Sequence, residues 1–116
     1  MTHYMNLNPR AFSMIAEGRK TIELRLWDEK RQQISAGDIL IFANTADPSL
    51  TLQCTVKKLH IYANFAELYC HLPLEQCGYL PEELATAAPE DMEVYYSKAQ
   101  QQKYGVVGIE LELLVK

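Results

Sequence analysis

The clearest pattern in the chain is the alternation of apolar and polar residues in the segment GRKTIELRL, residues 18–26. Ile22, Leu24 and Leu26 recur at the two-residue period of a pleated chain, which predicts a β-strand over residues 20–26. The polar positions between them are Thr21, Glu23 and Arg25. The same reasoning predicts a weaker strand over residues 1–7, a strand in ILIFAN at 39–44, a long strand over 50–62 and a closing strand in GVVGIELELLVK, where Ile109, Leu111, Leu113 and Val115 alternate with glutamates.

The long segment LTLQCTVKKLHIY, residues 50–62, changes phase part-way along. Its apolar residues occupy even positions up to Val56 and odd positions from Leu59 onwards. One extra residue near Lys57–Lys58 would return both sets to the same face, so we expect a β-bulge there. Bulges of this kind bend a sheet towards a barrel.

Helix signals lie between the predicted strands. In NPRAFSMIAEG, residues 8–18, Asn8 is a good N-cap, Pro9 suits the first helical position, and Gly18 suits a left-handed C-terminal cap. Further short helical segments are predicted in NFAELYCHL, after Pro89, and after Ser97 in KAQQQKY. A few strands, one of them bulged, with helices between them indicate an α+β protein with a small, partly closed mixed or antiparallel β-barrel and short helices packed outside it.

Length and charge limit the classes of function. A chain of 116 residues is expected to form a single domain, 1–116. The net charge of −4 argues against extended DNA binding, although five Lys or Arg residues gather at 19–31 while 65–97 holds seven acids and no Lys or Arg. No apolar run reaches 18 residues and the first residues do not resemble a secretion signal, so we expect no membrane association and a cytoplasmic location.

The three cysteines predict neither disulfides nor a metal site. Cys54, Cys70 and Cys77 are odd in number and lack a CxxC spacing, which is typical of reduced thiols. A zinc site at Cys70, His71 and Cys77 matches no common ligand spacing and has no evident fourth ligand. No glycine-rich phosphate loop is present, so we expect no metal and no cofactor.

Three motifs together resemble those of the ASCH domain family, a branch of the PUA-like superfamily. They are GRKTIELRL, the Gly37-Asp38 pair before an apolar strand, and KYGVVGIEL near the C-terminus, and the resemblance runs from about Pro9 to Leu113. It implies a small β-barrel whose cleft is lined by the first motif. It also implies that the partner is RNA or a modified nucleoside.

Some members of this family are small amidohydrolases that remove the acetyl group of N4-acetylcytidine. Their active groups are a Lys in the first motif, a Thr three residues later and a more distant Glu; Lys20 matches the first of these. Glu23 stands where the Thr is expected, and the nearest hydroxyl, Thr21, is expected to point to a different side of the strand. Both Glu75 and Glu82 are candidates for the distant Glu.

The leading hypothesis is that Lys20, Glu23 and Arg25 bind RNA or a nucleoside-like ligand, with Tyr104 and Tyr79 as packing partners. The alternative is an amidohydrolase in which Glu23 activates water and Lys20 stabilises the oxyanion. The same residues also have structural interpretations. These are a solvated lysine, an ion pair that joins two strands of the barrel, and half-buried tyrosines of the core.

A third class of function is a protein-interaction module. The acidic segment 65–97 would favour it if that segment formed the larger exposed patch.

Overall fold

The structure is a computed structural model that describes residues 1–114, so Val115, the last apolar residue of the predicted closing strand, lies outside the described residues. The described strands are β1 (Thr2–Leu7), β2 (Ile22–Leu26), β3 (Ile39–Asn44), β4 (Thr51–Tyr62) and β5 (Val106–Leu113), and the α-helices are α1 (Pro9–Ala16), α2 (Phe65–His71) and α3 (Lys98–Tyr104). Short 3₁₀ helices lie at Arg31–Gln33, Pro81–Glu83 and Pro89–Val94. None of the helices in this range has the length and apolar character needed to cross a bilayer.

The five strands form one mixed sheet in the order β1-β3-β4-β5-β2. β1 runs parallel to β3, and the other pairs, β3 with β4, β4 with β5 and β5 with β2, are antiparallel. The sheet curls into a half-barrel with β1 and β2 at its two edges, and the short helices pack around it. The predicted α+β class and PUA-like architecture are confirmed.

The predicted bulge in β4 is present. Val56 pairs with Leu111, and the next paired residue of β4 is Lys58, opposite Glu110, so Lys57 is the extra residue. Leu59 consequently packs against the same cluster of buried side chains as Val56. β4 pairs with β3 over residues 51–55 and with β5 over residues 54–62, and the bulge lies within the stretch paired with β5.

The two faces of β2 carry different kinds of side chain. Ile22, Leu24 and Leu26 are buried in a cluster with Phe65 and Leu68 of α2, which covers one face. On the other face lies the larger cluster, which includes Phe42, Val56, Val107 and Ile109.

Glu23 and Arg25 point to the face of this larger cluster. Glu23 pairs with Ile109 of β5, and Arg25 pairs with Val107. Partners in an antiparallel pair project to the same face. The polar residues of the first motif therefore lie beside the apolar interior of the half-barrel and not on a solvated surface.

The helix signals around the first motif are confirmed. The Asn8 side chain accepts a hydrogen bond from the Ala11 amide at 2.8 Å, and Gly18 has φ +80° just after α1. The Met14 carbonyl then accepts hydrogen bonds from the amides of Arg19 and Lys20. This turn fixes Lys20 at the entrance to β2.

Candidate functional site

A row of three charged side chains runs along β2 and its entrance. Nζ of Lys20 lies 2.7 Å from Oε1 of Glu23, and Nη2 and Nε of Arg25 lie 2.7 and 2.8 Å from Oε2 of the same carboxylate. Only 7% of the Glu23 side chain is exposed, against 11% for Lys20 and 14% for Arg25. A carboxylate between two cations is the arrangement that allows charge to be buried here.

This row controls the protonation of its members. Burial alone would raise the pKa of Glu23, but the Lys20 ammonium and the Arg25 guanidinium outweigh burial and hold that pKa below its usual value. Burial alone would lower the pKa of Arg25, and Glu23 together with Tyr96 outweighs that effect and raises it. Glu23 is therefore a fixed negative charge at neutral pH.

Arg25 also connects the two edges of the half-barrel. Its Nη2 donates a hydrogen bond of 2.7 Å to the backbone carbonyl of Asn6 in β1. β1 and β2 are the outer strands of the sheet and share no ladder of backbone hydrogen bonds in the described pairing. One side chain thus links the two edges while it also binds Glu23.

The charged row forms part of the wall of a cavity of about 460 Å³. This volume lies in the range of small-molecule sites. The cavity lies between α1, β2 and the segment that follows α2, and its lining includes Lys20, Glu23 and Arg25 together with four tyrosines: Tyr69, Tyr79, Tyr95 and Tyr96. Aromatic rings and a few charged groups face one concave space, which is the usual composition of a ligand site.

Two of these tyrosines form a hydrogen-bond chain with Asp91. The Tyr79 hydroxyl donates to Oδ2 of Asp91 at 2.7 Å, and the hydroxyls of Tyr69 and Tyr79 lie 2.7 Å apart. Because Tyr79 gives its single proton to Asp91, Tyr69 is the donor to Tyr79. Burial raises the pKa of Tyr69 to about 12, and burial with these hydrogen bonds also raises the pKa of Tyr79.

An ion pair connects α1 to the opposite wall of the cavity. Arg10 of α1 pairs with Glu83, whose side chain also accepts a hydrogen bond from the Leu80 amide at 2.8 Å. These two partners hold the pKa of Glu83 below its usual value, the backbone amide more than Arg10. The contact ties the helix to the segment that covers the site.

Gly78 brings the covering segment close to Lys20. A Cβ atom at this position would lie 3.2 Å from Cδ of Lys20, and Gly78 has φ +111°, where residues other than glycine are strained. The preceding Cys77 is buried in the lining, and burial raises the pKa of its thiol to about 12. Cys77 is therefore a packing residue and a poor nucleophile at neutral pH.

The model of the ASCH domain matches residues 5–115. The chain belongs to the ASCH domain family. The resemblance inferred from the three motifs is confirmed.

Two solved structures are similar to this ASCH domain. One is the crystal structure of hypothetical protein PH0355, whose sequence is 34% identical. The match covers 98% of this chain and 100% of the PH0355 chain, and the two structures superpose with a TM-score of 0.81. The solution NMR structure of protein PF0455 from Pyrococcus furiosus is 32% identical, covers both chains fully and has a TM-score of 0.70. A search of curated proteins gave no match.

The ASCH domain brings four of the five predicted ligand-binding residues into one cavity. Lys20, Glu23, Arg25 and Tyr79 all line it. Tyr104 does not, because it lies at the end of α3, where its ring packs against the apolar cluster that contains α2. Tyr104 therefore packs on the apolar face of β2 and does not belong to the candidate site.

The candidates for a distant glutamate fall elsewhere. Glu75 and Glu82 are both exposed and outside the cavity lining, and the acids that face the cavity besides Glu23 are Glu83 and Asp91. The Thr21 hydroxyl donates to the side chain of Gln76 at 3.3 Å and is also outside the lining. Thr21 thus does not take the place of the Thr that the resemblance implies.

Sequence reasoning did not identify Arg10, Tyr69, Glu83 or Asp91 as site residues. Glu83 and Asp91 each cap a 3₁₀ helix through a backbone amide, of Leu80 and Ala88 respectively, which gives them an ordinary local interpretation. Their second contacts, Glu83 with Arg10 and Asp91 with Tyr79, span 73 and 12 residues of the chain and leave no pattern in the sequence.

The cysteine and histidine residues considered for zinc lie apart. Cys70 is exposed on α2, the His71 ring stacks on Tyr62 with centroids 5.3 Å apart, and Cys77 lines the cavity. Within residues 1–114 no three metal-ligating side chains cluster.

Proposed function

We propose that the cavity of this ASCH domain binds a nucleobase, presented by RNA or as a free nucleoside. The observation that carries the proposal is the pair formed by Glu23 and Lys20 in the wall of the cavity. The two groups lie 2.7 Å apart, one a hydrogen-bond acceptor and the other a donor. They present a matched acceptor and donor to one edge of a ligand.

This acceptor and donor complement a base that carries an exocyclic amine. Cytosine presents its amine hydrogen beside the unprotonated N3, so the amine can donate to Glu23 while Lys20 donates to N3. Uracil presents a carbonyl beside N3–H, which is the reverse order, and would bring its carbonyl against the carboxylate. Oε1 of Glu23 accepts from Lys20, and a carboxylate oxygen has a second lone pair for a ligand.

The tyrosines supply the flat apolar surfaces that a base needs. Tyr95 is 61% exposed at the rim of the cavity, and Tyr96 lines the wall near Arg25. Stacking of a base on an aromatic side chain contributes about 1–3 kcal/mol. The family relationship supports the same class of ligand, because ASCH domains have a PUA-like fold and are associated with RNA.

The alternative, hydrolysis of N4-acetylcytidine, asks more of the same residues. An effective general base has a pKa near the working pH. Lys20 and Arg25 hold the pKa of Glu23 below its usual value, which weakens the carboxylate as a base towards water. Binding needs only the ionised carboxylate of Glu23 as a hydrogen-bond acceptor, and a lowered pKa favours that form.

The direct test is a calorimetric titration of the purified protein with cytidine and, separately, with uridine. We expect cytidine to bind more tightly by roughly 5- to 100-fold, the range that a good bidentate contact provides. Glu23→Gln should abolish most of this preference. Glu112→Gln is the matched control, because Glu112 is 64% exposed in an ion pair of 3.9 Å with Lys57.

A second variant separates loss of binding from loss of folding. Tyr95→Ala removes an exposed ring and should weaken cytidine and uridine alike while the circular dichroism spectrum stays unchanged. Equal affinities for the two nucleosides, or an unchanged preference in a folded Glu23→Gln protein, would contradict the proposal.

A chromatographic time course with N4-acetylcytidine tests the hydrolytic alternative. We expect no release of cytidine. Turnover that disappears in Lys20→Ala would replace the binding proposal by an enzymatic one.

A further inference from the structure

A second cavity of about 370 Å³ lies next to the first, and its charged lining residues are all cations. Arg25, Lys30 and Arg31 line it, and no carboxylate does. This concentration of positive charge is unexpected in a protein whose net charge is −4. A concave surface with one sign of charge attracts ligands of the opposite sign.

The cations of the second cavity are only partly neutralised by the protein. Arg31 pairs with Asp28 through Nη1 at 3.1 Å, but its Nε is buried without a hydrogen-bond partner, which is true of no other side-chain polar atom in the described chain. Lys30 is exposed and forms no ion pair among residues 1–114. A buried donor without a partner is costly, so Arg31 keeps hydrogen-bonding capacity that Asp28 does not use, and Lys30 keeps its whole charge.

The two cavities meet at the junction between β1 and β2. Asn6 and Arg25 line both of them. The Arg25 guanidinium, which joins the two edge strands, therefore faces the charged wall of the first cavity and the cationic lining of the second. Because the two cavities share Asn6 and Arg25, one ligand can extend from the first cavity into the second.

An aromatic side chain extends this path along β1. Tyr4 lines the second cavity and is 66% exposed. Exposed aromatic rings next to Lys and Arg are the features with which proteins bind single-stranded nucleic acid, because bases stack on the rings and the cations follow the phosphates.

We propose that the second cavity is a phosphate subsite and that the ligand of the first cavity is one nucleotide of a single-stranded RNA. Lys30, Arg31 and Arg25 bind the phosphate that is attached to the nucleoside in the first cavity, and the next base stacks on Tyr4. This inference rests on the proposed function and names its ligand class. A phosphate subsite would distinguish the protein from a receptor for free nucleosides, which carry no phosphate.

The test compares cytidine, cytidine 5′- and 3′-monophosphate and the dinucleotide CpC in calorimetric titrations. In the wild-type protein one of the monophosphates should bind at least about tenfold more tightly than cytidine, and CpC more tightly still. Lys30→Ala should remove most of the phosphate gain and leave the affinity for cytidine unchanged. Lys57→Ala is the matched control, since Lys57 is an exposed lysine on β4.

Salt and a stacking variant complete the test. The affinities for the monophosphate and for CpC should fall as salt rises from 50 to about 200 mM, whereas that for uncharged cytidine should change little. Tyr4→Ala should weaken CpC and spare the monophosphate.

The possible failures are distinguishable. If cytidine binds through Glu23 but phosphate adds nothing, the subsite is refuted and the nucleobase cavity remains. If the nucleotides bind through Lys30 but independently of Glu23, the nucleobase cavity is refuted and the phosphate site remains. If the monophosphate gains affinity but CpC does not, the ligand is a free nucleotide and the assignment to RNA is overturned.

Discussion

Replacement of Glu23 by glutamine is the change that most directly tests the charged row. The carboxylate accepts hydrogen bonds from Lys20 and Arg25 at 2.7–2.8 Å, and only 7% of its side chain is exposed. Glutamine keeps the shape but replaces one oxygen by an NH₂ group, which would place a donor against a cation. Two positive charges then remain in a largely buried position without their counter-charge.

The size of the effect follows from this geometry. Removal of one partner of a buried ion pair costs about 3–5 kcal/mol. We expect a value near the lower end, about 3 kcal/mol, because the side chains of Lys20 and Arg25 remain 11% and 14% exposed to solvent. With a urea m-value of about 2 kcal/mol/M, the unfolding midpoint should fall by about 1.5 M at pH 7. Glu112→Gln, the exposed control, should leave the midpoint unchanged.

The effect should also depend on pH in a defined direction. The pKa of Glu23 is lowered in the folded protein, so its stabilising contribution is complete above the unfolded-state value near 4.5 and disappears as pH falls through the folded value. Urea midpoints of wild type and Glu23→Gln should therefore converge in acid. Equal midpoints at pH 7, or a difference that persists unchanged at the lowest accessible pH, would refute this account of the row.

Two further predictions concern the segment that covers the cavity. Gly78→Ala should destabilise the fold by about 1–3 kcal/mol and weaken cytidine binding, because the new Cβ is strained at φ +111° and lies against Lys20; urea unfolding and calorimetry measure the two effects, and unchanged values would contradict this packing. A thiol reagent at pH 8 should label exposed Cys70 rapidly and Cys77 slowly, as followed by mass spectrometry, and rapid labelling of Cys77 would mean that this segment opens readily.

Local signals in the sequence were sufficient for most of the fold. Asn8 and Pro9 specify the start of α1 through rules that involve only neighbouring residues. The change of phase at Lys57–Lys58 records the bulge because each face of a strand has its own pattern. The first motif placed Lys20, Glu23 and Arg25 near one another because all three lie on or beside a single strand.

The opposite wall of the site depends on contacts between distant residues, which periodicity does not encode. The acidic segment after α2 contains no strand, and its Glu83 meets Arg10, 73 residues away along the chain, only when the segment folds over α1. Tyr104 shows the converse limit. Its place before the closing strand fits the family motif, but whether its ring faces the cavity or the core is decided by how α3 packs.

The position of β2 in the sheet has a consequence for the order in which the site can be completed. β2 is an early strand in the chain, yet its ladder partner is β5, the last described strand. Until β5 has been synthesised, β2 has no strand to pair with, so Glu23 and Arg25 are not held in the sheet. The apolar face of β2 then also lacks the sheet that positions it against α2. The site is therefore among the last parts of the molecule to form during synthesis, and a chain interrupted before β5 would lack the complete charged row and cavity, whatever else it had folded.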